Sequence, residues 1–166
     1  MCPLITWIEG GDMFASHFHV RVNPVNAVGI MGGGLALAFK KRYPSMFKEY
    51  KSLCDKGAYS GGSPSIHQVH DGFVVNLVTK TSPRYRSEMW LIDNGLDDLG
   101  HLCQQAVERI RESDPGFKPS DLKVAVPKLG CGLGLLKWED VRRSIMAALE
   151  DLPYDITVFG PASGPG

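Results

Sequence analysis

The chain has 166 residues, a length that suits one domain with a buried core. Its hydrophobic fraction of 43% and its charged fraction of 22% are typical of a globular protein, not of a membrane-spanning or disordered one. Its 18 basic residues balance 18 acidic ones, so no overall charge would draw the molecule onto nucleic acid or a membrane surface.

The four cysteines are scattered, without a C-x-x-C pair. This spacing argues against a zinc site and favours reduced thiols, so no metal is predicted. No basic-then-apolar leader opens the sequence, and no apolar run reaches the ~20 residues that span a bilayer. We therefore expect a cytoplasmic protein without membrane contact, acting as a monomer.

Hydrophobic periodicity and turn signals predict helices and strands in a mixed order. In chain order they are strands at 4–9 and 19–22, helices at 35–43 and 45–55, strands at 66–70 and 73–78, a helix at 88–112, a strand at 122–126, a helix at 138–149 and a strand at 155–159. Asp71-Gly72 indicates a hairpin between two of these strands. We predict a three-layer α/β/α sandwich with a mixed central sheet over residues 1–160, and a flexible tail at 161–166.

Three consecutive glycines, Gly32, Gly33 and Gly34, stand between a predicted strand and a predicted helix. Such a run loses backbone entropy on folding unless something must approach the main chain closely. The start of a helix presents unpaired N–H groups and the positive end of its dipole, which suits a phosphate or diphosphate. The segment matches neither a Walker loop nor G-x-G-x-x-G, and a glycine-rich turn without a ligand stays the alternative.

A second glycine-rich loop, at 127–134, also follows a strand and precedes a helix. In an open α/β sheet, loops of this kind meet outside the carboxyl ends of the strands. Together the two loops could hold a diphosphate from both sides with main-chain donors.

Three motifs occur along the chain in a fixed order. Residues 30–44 are I-M-G-G-G-L-A-L-A-F-K-K-R-Y-P, residues 78–80 are Val-Thr-Lys before the long helix, and Gly130-Cys131-Gly132 is followed by Trp138. In these motifs the chain resembles the macrodomain family, whose members bind ADP-ribose or remove it from targets. Within that family it is most similar to the branch of the DarG antitoxins and the terminal ADP-ribose glycohydrolases.

The resemblance implies ADP-ribose as ligand and product, with no cofactor. It implies Lys80 as the catalytic residue, assisted by Asn26, acting on C1″ of the distal ribose as a Schiff-base nucleophile or as a base. The implied contacts are Asp12, Met13 and Phe159 at the adenine, Asn23 and Asn26 at the distal ribose, and Met31, Gly32, Gly33, Gly34, Leu35, Thr79, Leu129, Gly130, Cys131, Gly132, Leu133 and Gly134 around the ribose and diphosphate.

One departure from the family pattern bears on the substrate. Terminal glycohydrolases have an aspartate two residues after Gly-Cys-Gly, where this chain has Gly134, as in the DarG pattern. The resemblance therefore favours ADP-ribosylated DNA over ADP-ribosyl-glutamate in protein. Arg84, Tyr85 and Arg86 are candidate DNA contacts, through phosphates and base stacking, with a solvated loop as the alternative.

The expected function is removal of ADP-ribose from modified DNA bases, with a DarT-like ADP-ribosyltransferase as a possible partner. The alternatives are a protein ADP-ribosyl-glutamate hydrolase, an ADP-ribose-1″-phosphate phosphatase and a reader without turnover. No histidine is placed by sequence to activate Cys131, so we expect a packed thiol there. His17 and His19 would share a strand face, but without a third ligand we expect surface histidines.

Overall fold

The computed structural model describes residues 5–162. Cys2, Leu4 of the first predicted strand, and residues 163–166 of the predicted tail lie outside the described residues. The strands are β1 (Thr6–Trp7), β2 (Val20–Asn26), β3 (Ser65–Val69), β4 (Gly72–Lys80), β5 (Lys123–Val126) and β6 (Asp155–Val158). The helices are α1 (Gly34–Arg42), α2 (Pro44–Asp55), α3 (Met89–Arg111) and α4 (Trp138–Leu149), with a short 3₁₀ turn at Pro119–Asp121.

The strands form one sheet in the order β1-β6-β5-β2-β4-β3. All neighbours are parallel except β3 and β4, which form the antiparallel hairpin that Asp71-Gly72 indicated. The predicted mixed sheet is therefore confirmed. β2 lies between β5 and β4, so the loops that follow these strands come together at one edge of the sheet.

Each face of the sheet carries its own apolar core. Val75 and Leu77 of β4 belong to the core under α3 and α4, whereas Val74 and Val78 belong to the core under α1 and α2. This distribution follows from the alternation of side chains along a strand and gives the three layers of the predicted sandwich.

The predicted end of the second strand, at residue 22, was wrong. β2 continues through Pro24 to Asn26 and pairs with β4 over that length. Its pairing with β5 covers only Val20 and Arg21, so beyond this point β2 has a neighbour on one side, where a proline is tolerated. β4 also runs two residues further than predicted and ends at Lys80.

Candidate functional site

A cavity of about 850 Å³ lies at the carboxyl ends of β2, β4 and β5. This volume is in the range of small-molecule binding sites. Its walls are two segments: the first loop (27–33), between β2 and α1, and the second loop (127–137), between β5 and α4. The loops meet over the cavity, since a Cβ on Gly33 would lie 3.8 Å from Leu133 Cδ1.

Most of the site residues implied by the resemblance line this cavity. They are Asn26, Gly32, Gly33, Gly34, Leu35, Thr79, Lys80, Gly130, Cys131, Gly132, Leu133, Gly134 and Phe159. The predicted contacts Asp12, Met13, Asn23, Met31 and Leu129 are not among the lining residues. Arg84, Tyr85 and Arg86 are exposed on the turn that follows Pro83, itself a lining residue.

The structure gives Asn23 a place in the core. It is fully buried, and its Nδ2 donates to Asn76 Oδ1 on β4 at 3.1 Å. Met31 and Leu129 are likewise buried, in the two cores of the sheet. These three residues thus support the cavity from behind, and a direct contact with a ligand stays a prediction.

The two residues predicted at the adenine end differ in exposure. Asp12 is exposed, and its Oδ1 accepts the Phe14 N–H at 2.8 Å. It adjoins Gly11, where a Cβ would lie 3.5 Å from the ring of Phe159. Met13 is buried and presents its carbonyl to the Arg21 guanidinium. Asp12 therefore lies beside the aromatic residue at this end of the cavity.

Asn26 and Lys80 are register partners at the ends of β2 and β4, with a bulge between Val25 and Asn26. Because adjacent strands are about 4.8 Å apart, the two backbones are direct neighbours. Lys80 is half-buried, and it takes part in none of the ion pairs found among residues 5–162. Two residues with polar side chains, both lining the cavity, therefore stand on neighbouring strand ends.

The Asn26 side chain holds the first loop closed. Its Oδ1 accepts the N–H groups of Val28 at 3.1 Å and Ile30 at 3.3 Å, and its Nδ2 donates to the Ile30 carbonyl at 2.7 Å. The hydroxyl of Tyr50, on α2, donates to the same Oδ1 at 2.8 Å. Residues 5–162 supply no acceptor for the second hydrogen of Nδ2, and Asn26 is one of the residues that line the cavity.

The first turn of α1 also lines the cavity. Gly33 is the N-cap without a side-chain hydrogen bond, and no acidic residue lies in the first turn. Gly34, with φ +56°, and the next two residues, Leu35 and Ala36, are lining residues. The free N–H groups of a helix start suit an anion such as a diphosphate.

The second loop is packed tightly against the segment that leads into α3. The Gly134 carbonyl accepts the Ser87 N–H at 3.1 Å. A Cβ at position 134 would overlap Ser87 Oγ and would lie 2.6 Å from the Gly130 carbonyl oxygen. Position 134 therefore has no room for a side chain, and a carboxylate there would displace the loop.

Sequence reasoning missed several lining residues. They are Pro24, Val25, Ile30, Ala36, Pro83, Ser87, Pro127 and Lys128. Lys128 could have been found, because it is a basic residue in a loop predicted to hold a diphosphate. Ser87 had no such signal, since its position depends on a contact with Gly134, far along the chain. Its Oγ is buried and has no hydrogen-bond partner among residues 5–162.

Cys131 is half-buried, and its thiol donates to the Leu129 carbonyl at 3.4 Å. Burial raises the pKa of this thiol, and the nearby Lys128 opposes that effect. The protonated thiol is a weak nucleophile, so the arrangement fits a packing role.

Within residues 5–162 no cluster of three or more histidine, cysteine or acidic side chains could hold a metal ion. His17 and His19 lie edge to face, with ring centres 4.8 Å apart, and His19 Nδ1 accepts the Lys123 N–H. In the same part of the chain no helix combines the length and apolarity needed to cross a bilayer.

The Macro domain family model matches residues 22–145. A DNA ADP-ribosyl glycohydrolase of Mycobacterium tuberculosis is 37% identical over 159 residues, which cover 93% of this chain and 42% of the relative. The macrodomain of Thermus aquaticus DarG aligns with a TM-score of 0.78 and 28% identity over 96% of this chain and 99% of that one. DarTG of Thermosipho africanus, solved in complex with ADP-ribose, aligns with a TM-score of 0.71 and 28% identity over 91% of this chain and 40% of that one.

This chain spans about two fifths of the length of the DNA ADP-ribosyl glycohydrolases that it matches. The family model covers most of the chain, and the M. tuberculosis relative matches nearly all of it at well over 30% identity. The chain therefore belongs to the Macro domain family.

Proposed function

We propose that this protein binds ADP-ribose and hydrolyses the bond that joins it to a modified DNA base, with Lys80 as the catalytic residue. The observation that carries the proposal is the pairing of Asn26 with Lys80 at one end of a cavity walled by two glycine loops. The names of the relatives, DNA ADP-ribosyl glycohydrolases, support the reaction, and the ADP-ribose complex of the Thermosipho africanus protein supports the ligand.

In this proposal ADP-ribose lies in the cavity with its adenine at Phe159 and its distal ribose at Lys80. Phe159 marks the adenine end, with Asp12 beside it, and Lys80 marks the distal-ribose end. Between them the start of α1 and the second loop offer main-chain donors to the diphosphate, and Lys128 adds a positive charge. The distal C1″ then lies next to the amine, which replaces a collision in solution by a fixed geometry.

The amine can act in two ways. In the first, the ribose ring opens, the uncharged Lys80 amine adds to C1″, and the C1″–N bond to the base breaks as the base nitrogen takes a proton. Water then hydrolyses the lysine imine, which releases ADP-ribose and restores the amine. In the second, the amine takes a proton from a ribose hydroxyl, the C1″–N bond breaks as the base nitrogen takes a proton, and water adds to C1″ without a covalent bond to lysine. In both, Asn26 orients the ribose.

DNA is the preferred substrate class for two reasons. Position 134 has no space for a carboxylate, so Lys80 works without a partner acid from the second loop. The exposed Arg84, Tyr85 and Arg86 follow Pro83 at the cavity and offer two cations and an aromatic face to a strand. A DarT-like DNA ADP-ribosyltransferase would produce this substrate, and the protein would then act as its antitoxin.

Three substrates separate the candidate functions. The protein is incubated with an ADP-ribosylated oligonucleotide, an ADP-ribosyl-glutamate protein and ADP-ribose-1″-phosphate, and free ADP-ribose binding is measured by calorimetry. We expect binding of ADP-ribose and release from the oligonucleotide. Release from the glutamate protein alone, or of phosphate alone, would refute the DNA assignment, and binding without any release would identify a reader.

Two lysines at the cavity provide a matched pair for the catalytic role. We expect Lys80→Ala to lower turnover at least about 100-fold while ADP-ribose still binds. Lys128→Ala should weaken binding of the diphosphate and retain turnover at saturating substrate. If the imine forms, borohydride traps a covalent adduct in the wild type and in Lys128→Ala but not in Lys80→Ala. Unchanged turnover of Lys80→Ala would remove that residue from the mechanism.

The DNA contacts have their own test. Replacing both Arg84 and Arg86 by alanine should raise the KM for the oligonucleotide and lower the slope of log KM against log salt by about 1.4, as expected for two lost contacts with a single strand. Affinity for free ADP-ribose should stay the same. Arg109→Ala, on the exposed face of α3, is the control. An unchanged salt slope would show that the strand takes another path.

A further inference from the structure

The first loop lies on α2, and the hydroxyl of Tyr50 makes polar contacts between them. Tyr50 of α2 is fully buried, and its hydroxyl lies 2.8 Å from Asn26 Oδ1 and 2.9 Å from the Asn26 backbone oxygen. Burial raises the pKa of Tyr50 above its usual range, so the hydroxyl keeps its proton and remains a donor. The loop also packs closely on α2: a Cβ on Gly29 would lie 3.4 Å from Lys51 Cγ and 3.6 Å from Cys54 Cβ.

The Tyr50 hydroxyl adds a third hydrogen bond to the oxygen of the Asn26 amide and so strengthens one orientation of that amide. Three donors converge on Oδ1: this hydroxyl and the N–H groups of Val28 and Ile30. A rotated amide would set its own NH₂ group against the two backbone N–H groups and would lose the hydrogen bond that the Tyr50 hydroxyl donates to Oδ1. With Oδ1 held in this way, Nδ2 donates one hydrogen to the Ile30 carbonyl and has a second hydrogen that a ligand can accept, since Asn26 lines the cavity.

We propose that Tyr50 is a positioning residue for ligand binding: through its hydroxyl it fixes the Asn26 amide with Nδ2 presented to a ribose oxygen of the ligand. The inference rests on the proposed function, since it takes ADP-ribose as the ligand. Tyr50 contributes no atom to the lining of the cavity and acts only through Asn26 and the first loop that this amide closes.

The chain offers a matched control in Tyr59. It is also buried, its ring centre lies 5.6 Å from that of Tyr50, and its hydroxyl bonds to Ser65 Oγ, at β3 and away from the first loop. Tyr50→Phe and Tyr59→Phe each remove one buried hydroxyl and keep the packed ring. Both should therefore lower Tm by a similar few degrees, whereas only the first should change the site.

The test is a double-mutant cycle on the affinity for ADP-ribose, measured by calorimetry on folded protein at low temperature. We expect Tyr50→Phe to raise Kd about 10-fold and Tyr59→Phe to raise it less than about 2-fold. In an Asn26→Ala background, Tyr50→Phe should add less than about 2-fold, because the amide that the hydroxyl positions is gone and only its bond to the backbone oxygen of residue 26 remains. Equal effects of the two phenylalanine variants, or an undiminished effect in the Asn26→Ala background, would overturn the inference.

A measurement on the wild type covers the case in which Tyr50→Phe does not fold. One of the two side-chain Nδ2 protons of Asn26 should shift in an NMR titration with ADP-ribose while the other stays. Movement of neither proton would overturn the inference while leaving ADP-ribose binding intact. A wild-type protein that binds no ADP-ribose would overturn both this inference and the proposed function.

Discussion

Replacing Gly134 by alanine tests the packing of the second loop. A Cβ at this position would overlap Ser87 Oγ, and it would lie 2.8 Å from Ser87 Cβ and 2.6 Å from the Gly130 carbonyl oxygen. The last of these is a backbone atom and cannot rotate away. The second loop must therefore move off the segment that leads into α3, which breaks the Ser87 N–H bond to the Gly134 carbonyl.

The size of the effect follows from this overlap. An added methyl group in a well-packed site costs about 1–3 kcal/mol, and contact with a fixed backbone atom points to the upper end. In a domain of this length about 3 kcal/mol lowers Tm by roughly 6–12 °C. Because the second loop forms one wall of the cavity, ADP-ribose affinity should fall as well, at temperatures where the variant is still folded.

Calorimetric melting and ADP-ribose titration measure the two effects. Gly132→Ala is the control for stability, since a Cβ there meets nothing within 4 Å and the residue lies in the same loop. Adding Ser87→Gly to Gly134→Ala should recover part of the lost stability, because it removes two of the three overlapping atoms. A Gly134→Ala variant as stable as Gly132→Ala would refute the described packing of the loop.

Two further predictions concern titratable groups. Burial, together with the nearby His17 and Lys123, lowers the pKa of His19, whose Nδ1 accepts the Lys123 N–H. A lowered pKa means that the neutral ring contributes stability above about pH 6.5, which is lost as the pH falls below that value. Urea unfolding of His19→Gln should therefore show a smaller loss of stability between about pH 7 and 5 than the wild type, and equal losses would contradict this. Since burial raises the pKa of Cys131, we expect it to react with iodoacetamide more slowly than a free thiol at neutral pH, and Cys131→Ala to keep turnover within about 2-fold. Labelling at the free-thiol rate, followed by mass spectrometry, would show that the thiol is activated.

The parts of the fold that sequence predicted well are those fixed by local patterns. The amphipathic helix predicted at 88–112 is α3, Met89–Arg111, and the helix predicted at 138–149 is α4. The hairpin was also predictable, since Asp71-Gly72 stands between two apolar runs. Strand ends were less predictable, because Pro24 interrupts the pattern and only the sheet order shows that β2 has a single neighbour there.

The candidate site likewise has parts that local sequence patterns predict and parts that depend on tertiary contacts. Both loops could be predicted from sequence, because glycine runs between a strand and a helix are a local pattern that does not depend on contacts elsewhere in the chain. The residues that pack behind the loops give no sequence signal, because each lies on a segment that contacts its loop only in the folded protein. Tyr50 occupies one apolar position of α2, and Ser87 stands in a polar turn. Leu135, a non-glycine residue with φ 65°, is strained in a way that no propensity rule anticipates.

The two walls of the cavity are held by opposite layers of the sandwich. Asn26 ties the first loop to α2 through Tyr50, and Gly134 ties the second loop to the segment before α3 through Ser87. Recognition by main-chain donors needs a rigid main chain, and here the rigidity of each loop comes from its own layer, with no residue shared between the two supports. Losses of ADP-ribose affinity in Tyr50→Phe and Gly134→Ala should therefore add in the double variant, expressed as free energies. A double variant much weaker or much tighter than that sum would mean that the loops move as one unit.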